Sequence, residues 1–154
     1  MKFQFQLEGE HLNSNQWAFD NGYIEGDLQI YVNGALYLAY SHMNVVELAI
    51  QLGKWLDSFR HGVKRDFIYE SIDHDKPILL FTMEQDGIRV SAPWQQFEVL
   101  EPLPINVVET AVKAYLITLN RNLHEIDYVE KLDRFLTDDV SENTKAIMLF
   151  EQNE

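Results

Sequence analysis

Strict alternation of apolar and polar residues predicts three β-strands near the start of the chain. A period of two places every second side chain on one face of a strand. The stretches with this period are Phe3, Phe5 and Leu7; Leu28, Ile30 and Val32; and Leu36, Leu38 and Tyr40. Asn33 and Gly34 separate the last two stretches. Because this dipeptide tolerates the positive φ angles of a two-residue type I′ turn, the pattern predicts a β-hairpin there.

The period changes to 3.6 residues at about residues 45–61 and 107–124, which predicts two amphipathic helices. The side chains expected to be buried are Val45, Leu48, Ala49, Leu52, Trp55, Leu56 and Phe59 in the first helix, and Val108, Val112, Tyr115, Leu116, Leu119 and Leu123 in the second. The tetrapeptide Asn-Val-Val-Glu opens both, starting at Asn44 and at Asn106. Asn is a favoured N-cap, and Glu three positions later can bond back to the cap. We therefore predict two N-caps, in preference to a duplicated ββα unit.

Shorter apolar stretches predict further strands at residues 66–72, 77–84, 87–92 and, less regularly, 95–101. Asp86 and Gly87 predict a second hairpin turn. The end of the chain has short amphipathic segments whose apolar side chains are expected to dock on the core: Val129, Leu132, Phe135, Leu136, Ile147, Leu149 and Phe150. The prediction is one α+β domain over 1–154, with a core over 1–124 and a helical acidic tail over 125–154. The core is expected to be a mainly antiparallel sheet of about six strands in hairpins, with two long amphipathic helices packed on it.

Composition narrows the class of protein. A chain of 154 residues with 46% hydrophobic residues favours a packed core over a disordered chain. The absence of cysteine excludes disulfides, a thiol nucleophile and thiolate metal ligands. No apolar run approaches the roughly 18 to 20 residues of a membrane span, and residues 1–10 turn polar before a signal-peptide core can form. We therefore expect a cytoplasmic protein that binds no membrane.

Charge is the strongest global signal, because 25 acidic residues against 12 basic ones give a net charge of −13. A field of this sign repels phosphate backbones, so we expect no nucleic-acid partner and instead a basic protein partner. The charge is also uneven. Residues 54–65 hold four basic residues and one acidic residue, whereas residues 66–109 hold nine acidic residues and two basic ones.

The acidic stretch contains the candidate docking surface. Its carboxylates are expected to surround an aromatic anchor at Trp94 or Tyr69, and the candidates are Glu70, Asp73, Asp75, Glu84 and Asp86. Trp94 follows Pro93 at a strand boundary, where a large ring is expected to stay partly exposed, as interface anchors do. The alternative surface is a basic corner for an anionic partner, formed by Arg60, His61, Lys64 and Arg65. Its simpler interpretation is charge complementation at a helix C-terminus.

Asp73, His74 and Asp75 are the main candidates for chemistry, because imidazole and carboxylates are ligands for zinc and manganese. In a strand His74 points away from both Asp side chains, and in a loop all three face water, so a polar hairpin loop is favoured. The five histidines form no HExxH pair, and GxSxG, GxGxxG and P-loop motifs are absent. We expect no cofactor and no metal ion. A small hydrolase or metal-dependent enzyme that uses these three residues is the alternative.

The arrangement over residues 2–124, a small acidic cysteine-free domain of hairpins and two capped helices, resembles small bacterial immunity proteins and uncharacterised accessory proteins of toxin–antitoxin neighbourhoods. The likeness is architectural and assigns no functional residue. It implies a non-enzymatic protein that neutralises a basic partner by covering it, since toxic nucleases act on an anionic substrate and are commonly basic. The predicted function is therefore a protein-binding module whose acidic face engages a cationic protein. A homodimer or larger homo-oligomer that covers exposed strand edges is a further alternative.

Overall fold

Two antiparallel sheets and two helices make up the described part of the chain. The computed structural model describes residues 1–8, 24–71 and 74–137. Within these ranges the elements are β1 Lys2–Leu7, β2 Glu25–Val32, β3 Ala35–Asn44, α1 Val45–Arg60, β4 Phe67–Ile68, β5 Leu80–Glu84, β6 Gly87–Ser91, α2 Ile105–Glu125 and a 3-10 helix, Asp133–Phe135. The α+β class is confirmed. The strands form two three-stranded sheets, ordered β1-β2-β3 and β4-β5-β6, and not the one sheet of about six strands that the sequence predicts.

A loop, and not a further strand, is hydrogen-bonded to the outer edge of β3. The Gln96 amide donates a hydrogen bond to the Tyr37 carbonyl at 2.7 Å. Residues 95–101, a strand candidate in the sequence, consequently form no strand. Of the described residues of the strand predicted at 66–72, only Phe67 and Ile68 form a strand, β4, which pairs with β5. The second sheet therefore forms apart from the first.

Both predicted hairpins exist, but only the first has the predicted turn. Asn33 and Gly34 form the turn between β2 and β3 with φ angles of 51° and 80°, as the dipeptide requires. In the second hairpin the turn residues are Gln85 and Asp86, and Gly87 is already the first residue of β6. The prediction of an Asp86 and Gly87 turn is therefore wrong by one residue.

β3 carries a bulge that changes which side chains it buries. The register between β2 and β3 shifts between Ile30 and Tyr31, so that Tyr37 is an extra residue in β3. Tyr37 is fully buried, whereas Leu36 is 36% exposed. The predicted apolar face of this strand is therefore wrong at Leu36, since an inserted residue interrupts the period of two.

The apolar stripes of both helices are confirmed, with only Phe59 less than fully buried. Trp55 of α1 packs its ring against that of Phe81, 5.4 Å away, and so joins α1 to the second sheet. The Tyr115 hydroxyl of α2 donates to the Val45 carbonyl at 2.6 Å, and burial raises the pKa of Tyr115 well above its usual value. No helix of the described residues is long and apolar enough to cross a membrane.

The two Asn-Val-Val-Glu copies differ in what they do. Asn44 is the N-cap of α1, and its side-chain oxygen accepts from the Glu47 amide at 3.2 Å, as predicted. Asn106 is not a cap, because α2 already begins at Ile105. Pro104 holds the cap position with the extended backbone of φ −53° and ψ 139°, and makes no side-chain cap bond. The predicted cap at Asn106 is therefore wrong.

Asn44 and Asn106 together allow a test of the N-cap with an internal control. Asn44→Ala should lower the free energy of unfolding by about 0.5 to 2 kcal/mol, because it leaves an amide of the first turn without its acceptor. Asn106→Ala removes an exposed side chain inside a helix and should change stability by less than about 0.5 kcal/mol. Denaturant unfolding of both variants measures the difference. Equal losses would mean that Asn44 does not act as a cap.

Residues 126–137 fold back onto the helices. Four of their apolar side chains are buried: Tyr128, Leu132, Phe135 and Leu136. The Asn120 side chain of α2 fixes this segment, accepting from the Leu132 amide at 2.7 Å and donating to Asp133 at 3.2 Å. Val129 is 75% exposed, so its predicted docking is wrong. The predicted docking of Ile147, Leu149 and Phe150 lies outside the described residues.

Candidate functional site

Trp94 is a large apolar side chain held at the surface, where half of it is exposed, at 50%. Its ring packs on the ring of Tyr40 with 5.6 Å between centroids and lies 6.1 Å from the ring of His74. Tyr40 and His74 also pack edge to face at 5.4 Å. Rings from β3, from the loop before β5 and from the turn after β6 thus converge. We call Trp94, Tyr40 and His74 the Trp94 cluster.

Hydrogen bonds fix the turn that carries Trp94. The Gln95 side-chain oxygen accepts from the Tyr37 hydroxyl at 2.7 Å and from the Ala92 amide at 3.3 Å. The Gln96 amide donates to the Tyr37 carbonyl. Burial raises the pKa of Tyr37 to about 12, so its hydroxyl keeps the proton that it donates at neutral pH. The turn therefore holds the Trp94 ring in a defined position against β3.

Two of the predicted carboxylates lie beside this cluster along the chain. Asp75 directly follows His74 and is exposed. Glu70, also exposed, precedes Ser71, whose hydroxyl lies 3.2 Å from Nδ1 of His74. Asp73 lies outside the described residues. Glu70 and Asp75 are therefore the predicted carboxylates of the described residues that lie nearest to His74 along the chain, and the exposed Lys76 directly follows Asp75.

The other two predicted carboxylates lie elsewhere. Glu84 and Asp86 are at the end of the β5–β6 hairpin that is far from Trp94, because Leu80 at the near end and Glu84 are four residues apart, about 13 Å of strand. Both carboxylate oxygens of Glu84 accept hydrogen bonds from the Arg89 guanidinium. These hydrogen bonds lower the pKa of Glu84. The five predicted carboxylates thus do not form one surface around Trp94.

Two residues that were predicted to lie on binding surfaces instead make hydrogen bonds that hold the fold together. Tyr69 is fully buried, and its hydroxyl donates to the Asn44 carbonyl at 3.5 Å, at the start of α1. It is therefore not accessible as an anchor, which leaves Trp94 as the candidate for that role. Arg60 of the basic corner donates to the Phe135 carbonyl and so attaches the chain after α2 to α1. The other residues of the basic corner are exposed.

The structure gives no support to a metal centre at His74. Its Nε2 is hydrogen-bonded to the Tyr40 hydroxyl, and its Nδ1 to the Ser71 hydroxyl. Among the described residues, His74 belongs to no group of three or more candidate ligand side chains whose ligand atoms converge. Asp75 is exposed, which agrees with the predicted polar loop.

A second cluster, which the sequence did not suggest, lies at the end of the first sheet. Glu8 follows β1, Glu25 begins β2 and His42 lies in β3, and one ligand atom from each lies within 4.8 Å of the other two. Nδ1 of His42 is 2.5 Å from a Glu8 oxygen and 4.0 Å from a Glu25 oxygen. These residues are far apart in the sequence. Only the strand register brings them together, so no short motif could indicate the group.

The fold and the Trp94 cluster define a small acidic α+β domain with a fixed aromatic ring at its surface. The chain belongs to the family described as "Domain of unknown function (DUF7878)", which matches residues 1–125. The matched range ends with the last residue of α2, so it includes both sheets and both clusters. No curated protein and no solved structure is detectably similar to the chain.

Proposed function

We propose that this protein is a non-enzymatic binding module that docks on a basic protein through the Trp94 cluster and the carboxylates of Glu70 and Asp75. The observation that carries the proposal is the half-exposed Trp94 ring on a turn fixed by hydrogen bonds. A soluble domain loses favourable apolar burial by leaving such a ring in water. A partner that covers the ring restores that burial.

Fixing the ring before binding favours a tight complex. Tryptophan is enriched among the few residues that dominate interface energies. An interface side chain that becomes immobilised on binding loses about 0.5 to 1.5 kcal/mol of conformational freedom. Packing on Tyr40 and His74 restricts Trp94 already in the free protein, so less freedom is lost when the partner arrives.

Charge indicates the kind of partner. The exposed carboxylates of Glu70 and Asp75 lie within four residues of His74 in the sequence, and the chain carries a net charge of −13. Such a field speeds association with a cationic surface. An arginine or lysine of the partner can also lie against the face of Trp94, since a cation is attracted to an indole ring. A basic toxin neutralised by an immunity-type inhibitor has this chemistry.

The anchor is tested by removing it. Wild-type protein is used to capture a basic protein from the native host, and the affinity of that purified partner is then measured for each variant. Trp94→Ala should weaken binding about thirtyfold or more, the effect of losing a side chain worth roughly 2 kcal/mol. The fold should persist, because half of the side chain already lies in water.

Ile117→Ala is the matched control, since Ile117 of α2 is 43% exposed and lies outside the Trp94 cluster. Its affinity for the partner should stay within about twofold of wild type, as most exposed side chains contribute little to a given interface. A partner that binds the wild-type and Trp94→Ala proteins equally would rule out the Trp94 cluster as its docking surface.

A further inference from the structure

We propose that Glu8, Glu25 and His42 bind a divalent transition-metal ion of the zinc class. The proposal is independent of the Trp94 cluster, since the two groups share no residue. It rests on three side chains, two carboxylates and one imidazole, whose ligand atoms converge at the end of the first sheet. Their side chains are 25%, 40% and 74% exposed, in the order Glu8, Glu25 and His42, so an ion can reach them from solvent.

The distances fit a metal ion after small side-chain rotations. Ligand atoms bound at about 2.1 Å in a tetrahedral arrangement lie roughly 3.4 Å from each other. The observed separations from Nδ1 of His42 are 2.5 Å to Glu8 and 4.0 Å to Glu25, one shorter and one longer than this value. Each must change by about 1 Å or less to meet the geometry of a zinc site.

The backbone holds the three residues together before any ion binds. The Glu8 amide donates to the Glu25 carbonyl at 3.1 Å, which extends the pairing of β1 and β2. Glu25 pairs with Asn44 across β2 and β3, two residues from His42. His42 lies within the register shift between Tyr40 and Met43 and has a left-handed φ of 55°. Ion binding therefore requires side-chain adjustment and no movement of the strands.

The donor set selects the class of ion. An imidazole nitrogen with two carboxylate oxygens suits zinc, cobalt or manganese, whereas magnesium and calcium prefer all-oxygen sites. Three protein ligands also leave at least one coordination position for water or for a ligand atom of another molecule, as in open zinc sites. An ion bound here would therefore be accessible from solvent, unlike the ion of a closed structural site.

The simplest rival explanation is an ordinary histidine–carboxylate ion pair. The protein contains a matched example, because Nε2 of His124 lies 2.8 Å from an Asp133 oxygen with both side chains mostly exposed. His42 differs in having a second carboxylate, that of Glu25, within 4.0 Å of the same nitrogen. The His124 pair consequently serves as the control for nonspecific binding of metal by an exposed imidazole.

The test is titration with Zn²⁺ and with Co²⁺, followed by calorimetry and thermal unfolding. The wild-type protein should bind one ion, and a hundredfold excess over Kd should raise the melting temperature by roughly 5 to 10 °C. His42→Gly should lower the affinity at least tenfold, and glycine accepts the left-handed backbone at this position. Glu25→Gln should also lower it at least tenfold while leaving the backbone unchanged.

His124→Ala should bind both ions as the wild type does, and Mg²⁺ should give no comparable stabilisation. Bound Co²⁺ should give a visible absorption band that disappears in His42→Gly. The proposal is overturned if Zn²⁺ shows no saturable binding, or if Glu25→Gln and His42→Gly both keep the wild-type affinity. It is also overturned if Mg²⁺ binds as tightly as Zn²⁺, since that result describes a cluster of acidic charge only.

Discussion

Replacing Phe135 with alanine is expected to lower the free energy of unfolding by about 3 to 5 kcal/mol, the usual loss for a buried aromatic ring. Phe135 is only 6% exposed, although it lies beyond the two sheets and two helices that form the core. Its carbonyl also accepts from Arg60, so a displaced Phe135 leaves that guanidinium without this acceptor. Denaturant unfolding measures the loss. A loss below 1 kcal/mol would show that residues 126–137 add little to the stability of the core.

Gly53 of α1 provides a sharper form of the same test. A Cβ at Gly53 would lie 2.5 Å from the Phe135 ring, so Gly53→Ala should displace the ring and destabilise the protein. In the Phe135→Ala background the obstruction is gone. The same substitution should then stabilise by up to about 1 kcal/mol, because alanine is the better helix former. If the effect of Gly53→Ala on the free energy of unfolding changes sign between the two backgrounds, Gly53 and Phe135 pack directly against each other. The same sign in both backgrounds would contradict this packing.

Gly87→Ala is expected to be destabilising by about 2 to 5 kcal/mol for two combined reasons. The φ of 152° is a conformation that side chains rarely adopt, with a strain of about 1 to 3 kcal/mol. A Cβ there would also lie 2.3 Å from the Leu103 carbonyl oxygen. Leu103 exchanges two hydrogen bonds with Ile88, each 2.8 Å long, and their loss adds about 1 kcal/mol each.

Gly34→Ala is the control for Gly87→Ala. Gly34 also has a positive φ, of 80°, but a Cβ at Gly34 would meet no atom within 4 Å. Its replacement should therefore show the conformational strain alone, about 1 kcal/mol. Thermal or denaturant unfolding compares the two variants. Equal effects would mean that the contact between Gly87 and Leu103 contributes nothing.

Features set by neighbours in the sequence were predictable. The turn at Asn33 and Gly34 and the cap at Asn44 each depend on a few adjacent residues. The prediction of a cap at Asn106 failed because Pro104, two residues earlier, supplies the extended backbone of the cap, so α2 begins at Ile105, two residues before its predicted start. An Asn in the sequence therefore indicates an N-cap reliably only when no neighbouring residue, such as a proline, starts the helix at another position.

Features set by strand pairing were not predictable. Alternation along β3 cannot reveal that Tyr37 is an extra residue, because a bulge depends on the partner strand. The same limit applies to the metal-site candidate, since Glu8, Glu25 and His42 meet only through the register of three strands. The division into two sheets also follows from pairing, which places a loop where a strand was expected.

The docking surface was predictable in part. A strand boundary after Pro93 indicated an exposed Trp94, and the structure leaves half of that side chain in water. Tyr69 belongs to the same acidic stretch, but it is buried, and its hydroxyl bonds the Asn44 carbonyl at the start of α1. Counting charges along the sequence also cannot separate Glu70 and Asp75 from the distant Asp86, because such a count does not show how far apart the side chains lie in the fold.

In the proposed function, attraction between the carboxylates of Glu70 and Asp75 and a basic partner speeds association. The most direct test of this attraction is the association rate of the captured partner at two salt concentrations. Because salt screens exposed charges beyond about 10 Å at 0.1 M, the wild-type rate should fall as salt rises. Glu70→Lys with Asp75→Lys should slow association at low salt more than the matched reversal Lys64→Glu with Arg65→Glu. If association slows instead with the basic-corner variant, and not with the Glu70 and Asp75 variant, the partner is attracted by the basic corner and not by these carboxylates.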